Sequence, residues 1–339
     1  MTTIERIQAT GILRTGSPKR GFRYRASNGS KVTAADLARI DQLKIPPAWT
    51  DVAINSAATG RVQAVGKDAA GRWQYLYHES HVRQRERKKF LRLIHFAESL
   101  PALRAAVARD LRKEGLARER VLAGILRILS MNFLRPGSEV YANENGSYGI
   151  ATLRPRHVTV KGRTIKFNFR GKSGVENQSE LRDRQLTILM KELLRYSNRR
   201  VFKYESGDGK LVDVRAHHIN NYIREVMGEK FSAKDFRTWA GTMVCASALA
   251  RDVNIEDGLT SERKIVAAIN ETAEALRNTP AVCRSAYICP AVISAFERGT
   301  TLNKYFESVQ KLIGYRGARL HPAEKALLRL LKKDRLMVG

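Results

Sequence analysis

Cysteine is scarce. Cys245, Cys283 and Cys289 are the three in 339 residues. So few, and an odd number, exclude a disulfide framework and point to a reducing, cytoplasmic setting. No apolar run approaches the roughly 18 residues that a membrane span needs. The opening MTTIERIQATGILRTG holds no apolar stretch of signal-peptide length, so neither a membrane nor a secretory route is expected. Acidic residues are also few: Asp and Glu total 33 against 61 Lys and Arg, a formal net charge of +28. A chain this basic is expected to meet a polyanion, with nucleic acid first and an anionic membrane surface a distant second.

Motifs for borrowed chemistry are missing as well. Gly171–Lys172–Ser173 has the form of the end of a phosphate-binding loop, but the first glycine of that motif falls on Lys166. No nucleotide and no other cofactor is expected. The histidine clusters, His78 with His81 and His217 with His218, have no Cys or carboxylate at ligand spacing, so no metal site is expected either. Cys283 and Cys289 read as small packing residues.

What is present suffices for a large folded core, since 43% of the residues are hydrophobic. The length suits two domains. Residues 1–88 read as a small β-rich domain of short strands and turns. Within it, RVQAVGKDAAGRWQYLY (residues 61–77) alternates as a hairpin, with Trp73, Tyr75 and Tyr77 on one face and Gln74 and Leu76 on the other. The densest basic run, HVRQRERKKFLR, follows at residues 81–92. Residues 89–339 read as mostly helical. Helices are expected from about 84 to 97, over 103–116 and 119–133, then at 179–197, 217–228, 235–251, 261–276, 290–298, 303–313 and 322–334. One hairpin, at about 156–174, is embedded among them: HVTV, a Lys161–Gly162–Arg163 turn, TIKFNF, and a loop RGKSG.

A basic protein without metal or nucleotide can still carry out phosphoryl transfer. Arginine forks hold the non-bridging oxygens, a lysine protonates the leaving oxygen, and a tyrosine hydroxyl attacks phosphorus. Four segments carry these residue types in order: FLRPGSEVYANENGSYGIAT (133–152), FNFRGKSG with a lysine on a β-turn, FSAKDFRTW with a second arginine, and RNTPAVCRSAYIC with a tyrosine. Together they resemble the active site of type IB DNA topoisomerases, whose Arg–x–Gly…Tyr…Glu–Asn…Gly pattern the first segment matches. QYLYH (74–78) with the following HVRQR resembles the DNA-contacting hairpin of the small poxvirus and bacterial members. The resemblance runs from about residue 45 to 298.

It implies an α+β fold with a tyrosine recombinase/topoisomerase IB catalytic domain. It also implies a monomer that clamps double-stranded DNA, cytoplasmic and associated with the nucleoid, needing neither ATP nor metal. By the same resemblance Tyr287 is the nucleophile, Arg135, Arg237 and Asn278 hold the phosphate, and Lys172 is the general acid. Asn278 stands where the family carries His or Asn. Gln74, Tyr75, Tyr77, Arg85, Tyr141 and Lys234 are the expected DNA contacts. Each residue has a plainer reading: Arg135 a helix-end charge, Lys172 a solvated turn, Arg237 an ion pair with Asp235, Asn278 a helix cap, Tyr287 a core ring. Two other functions stay open at this point. One is a tyrosine recombinase, although Lys234–Asp235–Phe236–Arg237 lacks the histidine of its H-x-x-R. The other is a non-enzymatic, histone-like DNA-binding protein.

Overall fold

The computed structural model describes residues 1–228, 230–252 and 260–337, with the backbone alone for Glu86, Phe90, Ser173 and 335–337. The chain divides into two compact units, Met1–Lys89 and Phe90–Gly339.

The first unit is a five-stranded antiparallel sheet with a helix against each face. Its elements are α1 (Thr3–Thr10), β1 (Ile12–Ser17), β2 (Gly21–Ala26), α2 (Ala34–Gln42), β3 (Thr50–Ile54), β4 (Val62–Lys67) and β5 (Trp73–Tyr77). Their spatial order is β2-β1-β3-β4-β5. The two helices correct the expectation of strands and turns alone. Each is opened by a capping box, Thr2 with Glu5 and Thr33 with Asp36, which satisfies the first free backbone amides. Ile40 of α2 packs with Ile12, Val52, Ile54 and Ala64 on one face. Ile7 of α1 packs with Ala53, Val62 and Val65 on the other. The β4–β5 hairpin pairs as expected, Lys67 opposite Trp73 and Val65 opposite Tyr75. Trp73 and Tyr77 pack on the α1-side core, Leu76 on the opposite one, and Tyr75 stays exposed.

The helix α3 (Glu79–Asp110) spans the boundary between the units. It replaces the two helices expected before and after residue 100, and Pro101 lies inside it. An interior proline costs about 3 kcal/mol. Burial of Leu93, Ile94, Phe96, Leu100, Leu103 and Val107 along the same helix offsets that cost.

In the second unit α4 (Arg118–Asn132) is almost wholly buried, and α5 (Glu139–Glu144) follows. The expected hairpin is there, as β6 (Val158–Lys161) and β7 (Thr164–Arg170), with Lys161 opposite Thr164 across a two-residue turn. A third strand, β8 (Glu176–Arg182), pairs with β7 along its whole length, where the sequence suggested the start of a helix. Its inward side chains are Asn177, Ser179 and Leu181, too polar to show a period of two. Helix α6 (Arg184–Tyr196) begins after the N-cap Asp183. The short strands β9 (Lys203–Glu205) and β10 (Leu211–Asp213) were not foreseen.

Helix α7 (Ala216–Met227) leads to α8 (Ala233–Asp252), the buried central helix, and then α9 (Ser261–Leu276). An unforeseen helix, α10 (Pro280–Ala286), is capped by Thr279 with Pro280 at its first position. The chain ends with α11 (Pro290–Glu297), α12 (Val309–Gly314) and α13 (Pro322–Met337). Among the described residues no helix is long and apolar enough to cross a membrane.

Candidate active site

The site is built where α4, α8, α9 and α10 begin or end. Helix α4 stops at Asn132 because Phe133 turns left-handed, with φ 49°. Two residues on, the Arg135 carbonyl accepts from the Ile150 amide at 2.9 Å, and the Pro136 carbonyl accepts from Ala151 at 2.9 Å. Segment 133–152 is thereby closed into a loop. Gly137 and Gly149 touch backbone to backbone at its neck, where a β-carbon on Gly149 would run into Gly137 and the Arg135 carbonyl. The Arg–x–Gly…Gly spacing therefore aims one arginine. Arg135 Nη2 donates to Asn278 Oδ1. Tyr141, on α5 inside the loop, is exposed.

Arg237 lies on α8 and is only 3% exposed. The plainer reading of Arg237, an ion pair with Asp235, does not hold, because Asp235 accepts from Arg92 and from the Ser232 amide and hydroxyl. Arg237 instead donates Nη1 to the Phe133 carbonyl and Nη2 to the Leu276 carbonyl at 2.9 Å. Both carbonyls stand at helix C-termini, where unpaired oxygens collect partial negative charge. Two helix ends thus take the place of a carboxylate. Burial lowers the Arg237 pKa and the Arg135 charge lowers it further, yet a guanidinium stays protonated. Its Nε has no hydrogen-bond partner among the described residues.

Tyr287 follows α10, with its amide donating to the Cys283 carbonyl at 2.9 Å. It is half-buried, and the Arg237 Cζ stands 4.9 Å from its ring centroid. A β-carbon on Gly241 of α8 would lie 2.9 Å from the Tyr287 carbonyl and 3.1 Å from its Cβ. Only glycine lets that strand of backbone pass so close. Burial pushes the Tyr287 phenol up. The charge and hydrogen bond of Arg237, with the charges of Arg135 and Lys234, outweigh it and leave the phenol below its usual range. Lys234 is exposed in the first turn of α8.

Asn278 comes directly after α9 and its left-handed cap Arg277. It caps no helix, since Thr279 fills that role for α10. Its Oδ1 is taken by Arg135, while its buried Nδ2 finds no hydrogen-bond partner of ordinary geometry among the described residues, with the Cys283 thiol as neighbour. A buried donor left free is uncommon.

The structure thus brings together Arg135, Arg237, Asn278 and Tyr287, with Lys234 acting on them by charge. Lys172 stands apart, on an exposed 3-10 turn (Lys172–Gly174) between β7 and β8. The remaining expected contacts lie in the first unit. Gln74 donates to Asp68 at 2.9 Å, Tyr75 stacks on Tyr77 at 6.2 Å, and the Arg85 guanidinium stands 5.3 Å from the Tyr77 ring. Sequence reasoning missed the Phe133 and Leu276 carbonyls, which carry no side-chain signal. It also missed Gly241, whose signal was an isolated glycine in a helical run.

A family model described as the catalytic core of eukaryotic DNA topoisomerase I matches residues 78–314. One described as the N-terminal domain of bacterial DNA topoisomerase IB matches residues 21–68. A DNA topoisomerase 1B of Acanthamoeba polyphaga mimivirus is 35% identical over 85% of this chain and 88% of its own length. A DNA topoisomerase 1B of vaccinia virus (strain Copenhagen) is 24% identical over 75% of this chain and 80% of its own. The four motif segments fall within the matched core, and the likeness extends through most of the relatives' length. The chain belongs to the type IB DNA topoisomerases.

Proposed function

We propose that this enzyme relaxes supercoiled duplex DNA by cutting one strand, letting the duplex rotate and resealing it, as a monomer and without ATP or a divalent metal. Tyr287 Oη attacks a backbone phosphorus. The bond to the 5′-oxygen breaks, the strand leaves as a 5′-hydroxyl, and a 3′-phosphotyrosyl bond holds the other end. The phenol gives up its proton in the attack, and Lys172 supplies one to the leaving oxygen. Arg135, Arg237 and the free Nδ2 of Asn278 hold the non-bridging oxygens as charge builds on them. Resealing reverses each step. One phosphodiester is exchanged for another, so the energy of the broken bond is kept.

The observation that carries this reading is Arg237 against Tyr287: a buried, permanently charged guanidinium beside a phenol whose proton it makes easier to lose. Gln74, Tyr75, Tyr77 and Arg85 of the first unit, with Tyr141 and Lys234, are assigned to DNA contact. The net charge of +28 supports a grip dominated by phosphates, weakening steeply with salt.

The test is a supercoiled plasmid in EDTA without ATP. The parent relaxes it, and detergent traps a protein–DNA adduct through the 3′ end. Tyr287→Phe binds DNA as the parent does and gives neither product. An adduct through the 5′ end, or one formed by Tyr287→Phe, overturns the assignment.

A further inference from the structure

Arg277 is adjacent to the reacting group without belonging to it. It closes α9 in the left-handed region, with φ 50° and ψ 60°, where a side chain is strained and glycine is the usual occupant. From that position its guanidinium spans two other elements. Nη1 donates to the Asn132 carbonyl at 3.3 Å, on the last residue of α4. Nη2 donates to the Gln178 carbonyl at 3.0 Å, in β8. Among the described residues neither arm meets a carboxylate, and the side chain ties backbone oxygens from two separate parts of the chain to the end of α9.

The neighbours of those contacts give them meaning. Phe133, whose carbonyl takes Arg237 Nη1, follows Asn132. Leu276, whose carbonyl takes Arg237 Nη2, precedes Arg277. The spacing between the two oxygens that grip Arg237 is therefore set by the link from Arg277 to Asn132. Nε of Arg237 has no hydrogen-bond partner among the described residues. Asn278 is the next residue along, and β8 begins two residues after the turn that carries Lys172.

We propose that Arg277 is a positioning residue for the cleavage reaction, locking the ends of α4 and α9 and strand β8 in the one register that aligns Arg237, Asn278 and the Lys172 turn. This rests on the roles assigned to those residues above. It explains why a strained arginine occupies a site suited to glycine: the strain is the cost of the bridge. It also explains the half-buried position of a cation in a DNA-binding enzyme, because both arms are committed to the protein.

The decisive variant is Arg277→Gly, which relieves the backbone strain and removes only the bridge. If Arg277 serves the fold alone as a cap, glycine keeps the cleavage rate. The positioning role predicts a variant with a Tm equal to or above the parent's and a Kd for duplex DNA within about twofold. Single-turnover cleavage at saturating DNA should fall at least tenfold. Arg277→Lys, able to reach one carbonyl, should recover part of the rate. Should Arg277→Gly lose its folded baseline, Arg277→Met, which keeps the stem and the left-handed strain, gives the same comparison. An unchanged rate at saturating DNA overturns the proposal, and a weakened Kd alongside it makes Arg277 a phosphate contact instead. Adduct formation by the parent reads the proposed function separately, so either reading can fail without the other.

Discussion

Asn278 cannot change its charge near neutral pH, which restricts what it can contribute. With Oδ1 occupied by Arg135, its remaining resource is the free Nδ2, and one donor to a developing oxyanion is worth roughly 10²–10³ in rate. Asn278→Ala should slow cleavage by about that factor, while Asn278→His, which restores a ring donor, should keep much of the activity. Equal rates for the alanine variant and the parent would leave the residue a spacer. Lys172 poses a different question, since loss of a phosphate contact and loss of a proton donor look alike in an ordinary assay. A substrate with sulfur at the bridging 5′ position separates them, because a thiolate leaves without protonation. Lys172→Ala should be severely slow on normal DNA and near parental speed on the sulfur substrate, and Arg237→Ala slow on both. If sulfur does not rescue Lys172→Ala, the general acid is another group. At this scale the sequence was informative about which residues matter, through motifs, and silent about what holds them. Arg237 beside Asp235 suggested an ion pair; the actual partners are two main-chain oxygens, invisible in a string of side chains.

Among the elements, legibility followed the contrast between inward and outward residues. The β4–β5 hairpin alternates aromatic and polar residues and was read with its faces assigned. Strand β8 turns Asn177 and the half-buried Ser179 inward beside Leu181, so its inward face is polar and the pattern vanishes. Helices α1 and α2 are too short for periodicity to dominate, though their capping boxes were there to be read. One element has a pH consequence. His157, at the entrance to β6, packs 4.4 Å from the Tyr148 ring, accepts from the Arg154 amide at 3.1 Å and is 8% exposed. Burial, with the charges of Arg156 and Arg154, holds it at about 4 instead of 6.5. The folded state therefore disfavours the proton, and the stability this histidine allows is present above pH 6.5 and lost as the pH falls toward 4. The urea midpoint should drop between pH 7 and pH 5, and His157→Phe should flatten that drop. An unaltered pH dependence in His157→Phe would place the sensitivity elsewhere.

On the scale of the catalytic unit, the C-terminal segment proves to be part of the core. Its leucines read as a packing helix, and Leu327 and Leu331 of α13 are indeed buried. The anchor is a carboxylate that no motif singles out. Glu324, 1% exposed, accepts from Arg104 at 2.7 and 2.8 Å and from Trp239 Nε1 at 3.3 Å, two residues beyond Arg237 on α8. Glu324→Ala strands a cation against an apolar wall and should cost about 3–5 kcal/mol in urea unfolding. A loss under 1 kcal/mol would mean that α13 is held by its leucines alone. The grip on Arg237 has a temporal side as well. Its two acceptors lie 104 and 39 residues away along the chain, on either side of it in sequence. A ribosome-bound chain that has not yet reached Leu276, or a molecule whose α9 has peeled away, cannot complete the group proposed above to cut DNA. In a urea titration, nicking of plasmid should vanish at or before the loss of helical signal, and unfolding intermediates should leave DNA intact.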